Sequence, residues 1–136
     1  MDRSYMTLSE VKHCAPTILK SGIIGTFIGA IPGAGADIAA FVCYNEAKRS
    51  NKKEKFGEGS LVGICAPEAG NNGVTGGALV PLLTLGVPGD AVAAVLLGAL
   101  IIQGLTPGPL LFEQNPEIVY GLFSSCLLYT SPSPRD

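Results

Sequence analysis

The chain has 136 residues, of which 47% are hydrophobic and 15% charged, with 18 Gly, 10 Pro, no Trp and a formal net charge of −2. Its mean hydropathy is +0.39, and its charged fraction falls short of the quarter or so found in soluble globular chains. No Lys or Arg occurs between Phe56 and Pro134, and the densest bases (Lys48, Arg49, Lys52, Lys53, Lys55) sit among Glu46, Glu54 and Glu58, a weak footprint for nucleic acid in a chain that reads instead as an integral membrane protein.

Met1 to Lys20 is polar, mixed in charge and reads as interfacial; Asp2, Glu10 and Lys12 interrupt any signal-peptide core. Ser21 to Tyr44 is uncharged except for Asp37 and is long enough to cross a bilayer of ~30 Å as one helix. Pro32-Gly33 divides it, and residues 18–31 alone would be only ~21 Å long at 1.5 Å per residue. Two forms stay open: one kinked span, or a re-entrant hairpin with its tip at Pro32 to Ala36. Bases on both flanks favour the hairpin, because the positive-inside tendency puts them on one face. Glu46 to Ser60 is then a cytoplasmic loop.

Leu61 to Val87 is apolar but interrupted by Pro67, Glu68, Asn71-Asn72 and several glycines, which predicts a discontinuous span. Ala91 to Leu105 is the cleanest helix, with Asp90 at the N-cap and Gly104, Pro107 and Gly108 ending it. Pro107-Gly108-Pro109 makes a stiff turn, Glu113 to Glu117 is polar, and Ile118 to Phe123 starts another span. Leu127 to Asp136 changes abruptly into a Ser-Pro-rich tail and reads as non-native, leaving residues 1–126 as the natural part. The expected fold is therefore all-α: a polytopic membrane protein fragment with Pro-Gly-broken, discontinuous or re-entrant transmembrane helices.

Small residues recur at intervals of four, at Gly25, Gly29 and Gly33, at Gly59 and Gly63, and at Gly73 and Gly77. Such faces let membrane helices approach closely. Cys14, Cys43, Cys65 and Cys126 lack metal-site or disulfide-framework spacing and read as small buried hydrophobes. His13 reads as solvated or interfacial.

The most informative features are the two breaks, Ile31-Pro32-Gly33-Ala34-Gly35 and Val87-Pro88-Gly89-Asp90, each between apolar runs. Paired interrupted apolar segments are a pointer to a transporter binding site. Around them runs a longer series: Gly25-x-x-x-Gly29-x-x-Pro32-Gly33-x-Gly35, Tyr44, Glu46-x-Lys48, Phe56-Gly57-x-Gly59, and Ala66-Pro67-Glu68-Ala69-x-Asn71-Asn72. Then come Leu79-x-Pro81-Leu82-x-Thr84-Leu85-Gly86-Val87-Pro88-Gly89 and Gly104-x-x-Pro107-Gly108-Pro109. In order and spacing the series resembles the large permease subunit of the tripartite tricarboxylate transporters, the TctA-type family, from about Lys20 to Phe123.

The resemblance implies a multi-pass protein of the bacterial inner membrane, roughly four times this length, built from repeated halves of inverted topology. This chain is then an internal fragment of it. The resemblance further implies a small membrane subunit and a periplasmic solute-binding protein as partners. The implied activity is cation-coupled (Na⁺ or H⁺) secondary transport of citrate or related carboxylates across a lipid bilayer, without enzymatic catalysis, organic cofactor, further metal or nucleic acid.

A polyanionic substrate of that kind meets no base in the apolar half of this chain, so backbone N–H groups at helix N-termini are the alternative donors. Gly33, Ala34, Gly35 and Gly89 are the candidates for close backbone approach. Asn71, Asn72 and Thr75 could add amide and hydroxyl contacts, although Asn-Asn-Gly is also an ordinary turn signal. Asp37, Glu68 and Asp90 are candidates for holding the coupling cation. Capping competes at Asp90 and dipole complementation at Asp37, which leaves Glu68 as the best of the three. Two rivals remain open. One is a soluble dinucleotide-binding domain, which would need a third glycine where Ile38 stands. The other is a structural or channel segment of a membrane protein without a carboxylate site.

Overall fold

The computed structural model describes residues 6–130, and every element among them is helical, as expected. In chain order they are α1 (Leu8–Gly29), α2 (Gly35–Ser50), α3 (Leu61–Leu85), α4 (Ala91–Ile102), α5 (Pro109–Gln114) and α6 (Pro116–Thr130). The dinucleotide-domain rival needs a parallel sheet, and no strand occurs among the described residues. No helix among them is long and apolar enough to cross a membrane.

The first helix starts earlier than the apolar pattern suggests. Thr7 and Glu10 form a capping box: the Glu10 carboxylate accepts from the Thr7 N–H at 2.6 Å, and the Thr7 hydroxyl oxygen accepts from the Glu10 N–H at 3.3 Å. This satisfies free donors of the first turn and carries polar residues 8–20 into α1. Of the two forms open for residues 21–44, the hairpin is the one found. α1 ends at Gly29, a tight turn follows, and α2 returns antiparallel. Cys43 donates its thiol to the Ser21 carbonyl at 3.4 Å. Further along the pair, Lys20 Nζ donates to Glu46 Oε1 at 2.6 Å and to Ser50 Oγ at 3.1 Å. The Lys20 ammonium, helped by the Ser50 hydroxyl, holds the Glu46 carboxyl below its ordinary range.

The expected discontinuity in Leu61 to Val87 is corrected: α3 is continuous for 25 residues through Pro67, Asn71-Asn72 and Pro81. Packing against neighbours overrides these breakers, as happens in buried helices whose carbonyls find other partners. Asn72 Nδ2 donates to the Glu68 carbonyl and Thr75 Oγ1 to the Asn71 carbonyl, at 2.9 and 3.3 Å. The Asn-Asn-Gly segment is therefore a helix interior, with side chains bonded back to the preceding turn. α3 ends at Gly86, in the left-handed conformation (φ 68°), with the Val87 N–H reaching the Pro81 carbonyl at 3.2 Å.

α1 and α3 run parallel in backbone contact. A Cβ at Gly25 would collide with the Gly70 backbone, one at Gly29 with Val74, one at Gly73 with Gly22 and one at Gly77 with Thr26. Cys14 lies against Cys65 in the cluster with Ala47, Val62 and Ala66. The pairs 14–65, 22–73 and 26–77 share one sequence separation, and Cys14-Ala15-Pro16 recurs at that separation as Cys65-Ala66-Pro67. The small-residue expectation holds for Gly25, Gly29, Gly73 and Gly77. Gly33 and Gly59, by contrast, lie in turns with φ of 82° and 89°.

α4 begins as expected at Ala91 and stops at Ile102, three residues short of Leu105, before a turn at Gly104 (φ 78°). Its Ala93 packs on Ala78 and Leu82, while Leu100, Leu111 and Val119 gather round Leu83. α6 crosses the position where the tail was expected to begin; residues 131–136 of that tail lie outside the described residues. Cys14 and Cys43 are buried, Cys65 half-buried, and all three are free. His13 is exposed and meets Glu54 at 2.9 Å.

Candidate functional site

Because α1 and α3 are parallel, both Pro-Gly breaks fall at the same end of the helix pair. There they touch: the Gly33 N–H donates to the Gly89 carbonyl at 2.7 Å. Pro32 and Pro88 follow the last helical residues, Gly29 and Leu85, and lack an N–H to extend a ladder further, whereas Pro16, Pro67 and Pro81 are carried inside helices. Glycine explains the shape of the first turn. Gly33 and Gly35 have φ of 82° and 69°, values that a residue with a Cβ adopts only at a cost of ~1–2 kcal/mol.

Gly89 is buried, with its missing Cβ aimed at the Gly29 carbonyl (2.8 Å) and at Ala78 (3.2 Å). It therefore acts as the clasp of the junction, its carbonyl taken by Gly33. Gly33 is exposed, Ala34 and Gly35 are half-buried, and nothing stands within 4 Å of where a Cβ at either glycine would be. The Gly33 N–H is given to Gly89 and the Ala34 N–H to the Ile31 carbonyl at 3.2 Å, so what lies open is the space beside the turn, next to the first turn of α2.

The two helix N-termini beside the junction differ. At α4 the Asp90 carboxylate accepts from the Ala93 N–H at 2.7 Å, so the N-cap expected from sequence is present and a carboxylate already occupies that end. At α2 the N-cap is Ala34 and no side chain bonds the first turn. Its N–H groups and partial positive charge are unclaimed by any side chain among the described residues. Asp37, in that first turn, is exposed.

Glu68, Asn71, Asn72 and Thr75 lie elsewhere. All four are exposed on α3, spaced i, i+3, i+4 and i+7, which puts them on one helical face. From Thr75 to the end of α3 is ~15 Å, and from Glu68 ~25 Å, at the rise of an α-helix. Fold and spacing thus divide the sequence candidates into two groups: the break residues at the helix ends, and a polar strip along an otherwise apolar helix. The strip was readable as i, i+3, i+4, i+7 spacing once α3 is taken as continuous. The meeting of the breaks carried no local signal; it follows from the parallel packing of α1 on α3. No group of three or more His, Cys, Asp or Glu able to hold a metal ion occurs among the described residues.

The family model described as "Tripartite tricarboxylate transporter TctA family" matches residues 1–131. Among curated proteins, the "Uncharacterized 52.8 kDa protein in TAR-I ttuC' 3'region" of Agrobacterium vitis is 34% identical over 122 residues, covering 89% of this chain and 24% of that protein. The "Uncharacterized protein in TAR-II ttuC' 3'region" of the same organism is 38% identical over 102 residues, covering 74% of this chain and 42% of the relative. The chain thus spans less than half the length of either. No solved structure matches it.

Proposed function

The chain belongs to the tripartite tricarboxylate transporter TctA family, and from that membership we propose that it is part of a multi-pass, inner-membrane permease for tricarboxylates or related carboxylates. The observation that carries the reading is the junction of the breaks, where the Gly33 N–H meets the Gly89 carbonyl at 2.7 Å. Beside it the unclaimed N-terminus of α2 lies on open backbone. The N–H of Gly33 is given to the Gly89 carbonyl and that of Ala34 to the Ile31 carbonyl at 3.2 Å, so a substrate carboxylate is received beside Gly33 and Ala34 by the N–H groups of the first turn of α2 from Gly35 onward, with Gly89 holding the turn in place, as anions are at other helix N-termini.

The polar strip is assigned to the coupling cation, Na⁺ or H⁺. Glu68 supplies the charge, and Asn71, Asn72 and Thr75 supply oxygen ligands. Asp37, exposed beside the substrate position, is a second place where a cation would relieve repulsion, whereas Asp90 is spent on capping. Large exposed apolar side chains such as Phe27, Phe41 and Ile102 suit contact with lipid or with the rest of a larger permease. The partners in this reading are a small membrane subunit and a periplasmic solute-binding protein.

The test uses a full-length, otherwise cysteine-free permease in vesicles with an imposed ion gradient. Ala34 has an ordinary helical φ of −71°, so Ala34→Cys adds a thiol without backbone strain. Citrate should slow its modification by a thiol reagent several-fold; equal rates with and without carboxylate would remove the substrate site from α2. Asn71→Leu and Asn72→Leu should lower uptake at matched expression. Glu68→Gln, combined with Ala34→Cys, should abolish the dependence of uptake on the gradient while leaving citrate protection of the introduced thiol intact. A Glu68→Gln permease that keeps its full gradient dependence would take the coupling role away from the strip.

A further inference from the structure

A second feature lies away from the junction. Ala40, Phe41 and Tyr44 of α2 and Pro67 of α3 line an apolar cleft of about 280 Å³. Tyr44 stands edge-to-face on Phe56, in the loop between α2 and α3, at 5.6 Å. Lys48 follows Phe41 by seven residues, two turns along the same face and about 10 Å away. Arg49, Lys52 and Lys53 are beside it, and all four are exposed.

The neighbouring acids answer these bases only in part: Arg49 is near enough to help lower the Glu46 carboxyl, but no ion pair joins them. Glu46 is held by Lys20, Glu54 by His13 and Ser60, and Glu58 stands 3.8 Å from Lys55. Lys48, Arg49, Lys52 and Lys53 have no ion-pair partner among the described residues. Glu68 follows Pro67 but is turned about 100° round α3 from it.

We propose that this cleft binds one anionic phospholipid, with an acyl chain against Ala40, Phe41, Tyr44 and Pro67 and the phosphate at Lys48, Arg49, Lys52 and Lys53. The proposal rests on the membrane reading given above. The charge pattern selects the occupant: a free anion would have no use for the apolar cleft, and a zwitterionic lipid would leave the four cations unanswered. Juxtamembrane clusters of about four or more bases draw anionic headgroups in this way, and Lys and Arg stems lie along apolar surface while their charges reach the headgroup level.

The test titrates the purified chain in detergent with phosphatidylglycerol or phosphatidylcholine and counts bound lipid by native mass spectrometry. Flotation with vesicles of phosphatidylcholine alone, or mixed with phosphatidylglycerol, is followed in parallel. Phosphatidylglycerol should bind at least tenfold more tightly than phosphatidylcholine. The triple variant Lys48→Gln, Arg49→Gln, Lys52→Gln should lose most of that preference, at roughly fivefold per charge removed. Ala40→Phe, which fills the cleft and leaves every base in place, should lose the bound lipid as well. Glycerol phosphate, a headgroup without a chain, should not compete. Equal binding of the two lipids, or phosphatidylglycerol binding unchanged in both variants, overturns the lipid site while the membrane reading stands. Displacement by glycerol phosphate overturns it in favour of a simple anion site. A chain that floats with neither vesicle overturns the membrane reading and the lipid site with it.

Discussion

At the scale of single residues, neighbouring glycines carry opposite assignments. A Cβ at Gly77 would strike the Thr26 backbone, whereas one at Gly76 meets nothing within 4 Å. Gly77→Ala should therefore destabilise the α1–α3 pair by ~1–3 kcal/mol, the cost of overpacking. Gly76→Ala should stabilise by up to ~1 kcal/mol through helix propensity. Unfolding of both variants in detergent, followed by circular dichroism, checks the opposite signs. Glu54 provides a pH dependence: the Ser60 hydroxyl (2.6 Å) and then His13 hold its carboxyl below the ordinary range. An acid lowered by folding contributes stability that is present above its unfolded pKa, ~4.3, and lost as pH falls through the lower folded value. The attachment of the loop to α1 should accordingly hold at neutral pH and loosen only below pH ~4. NMR shifts of the loop amides should report this, and Glu54→Gln should remove the transition.

At the scale of elements, the hairpin of α1 and α2 is the arrangement most open to direct test. Cys43 reaches the Ser21 carbonyl at 3.4 Å, whereas a continuous helix would hold positions 21 and 43 about 33 Å apart. With Cys14, Cys65 and Cys126 replaced by Ser, Ser21→Cys should form a disulfide with Cys43 on mild oxidation, detected by loss of free thiol. Two unreacted thiols would indicate a kinked span. α3 shows why the breakers in its sequence misled. Proline and Asn-Gly signals weigh local preferences, but α3 packs along its length against α1 and α2, and that contact outweighs two missing N–H groups and several glycines. At the two breaks the local and tertiary demands agree, and there the helices do end.

At the scale of the whole molecule, the dense Lys and Arg cluster and the long base-free stretch carry the orientation expected on the proposed permease reading. The loop that joins α2 to α3 carries Lys52, Lys53 and Lys55, and on the permease reading proposed above the positive-inside tendency would put it in the cytoplasm. Ser50→Cys in a full-length, cysteine-free permease should resist a membrane-impermeant thiol reagent added to intact cells, and ready labelling would invert the topology. The junction of the breaks then belongs to the opposite end of the helix pair.

Much of this was legible from residue types alone. Proline's missing N–H, the positive φ that only glycine takes without strain, and an aspartate before an apolar run placed both breaks, the start of α4 and the helical class. The i, i+3, i+4, i+7 strip from Glu68 to Thr75 was also written locally, in a spacing that the breaker signals masked, and the capping box at Thr7 and Glu10 lay in a polar stretch read as interfacial. The parallel docking of α1 on α3 was not local. It depends on backbone surfaces of Gly25, Gly29, Gly73 and Gly77 that match only when the helices lie in one register, and that register alone brings Gly33 onto Gly89. Local chemistry thus determined where the chain breaks, and long-range packing decided that the breaks form one junction.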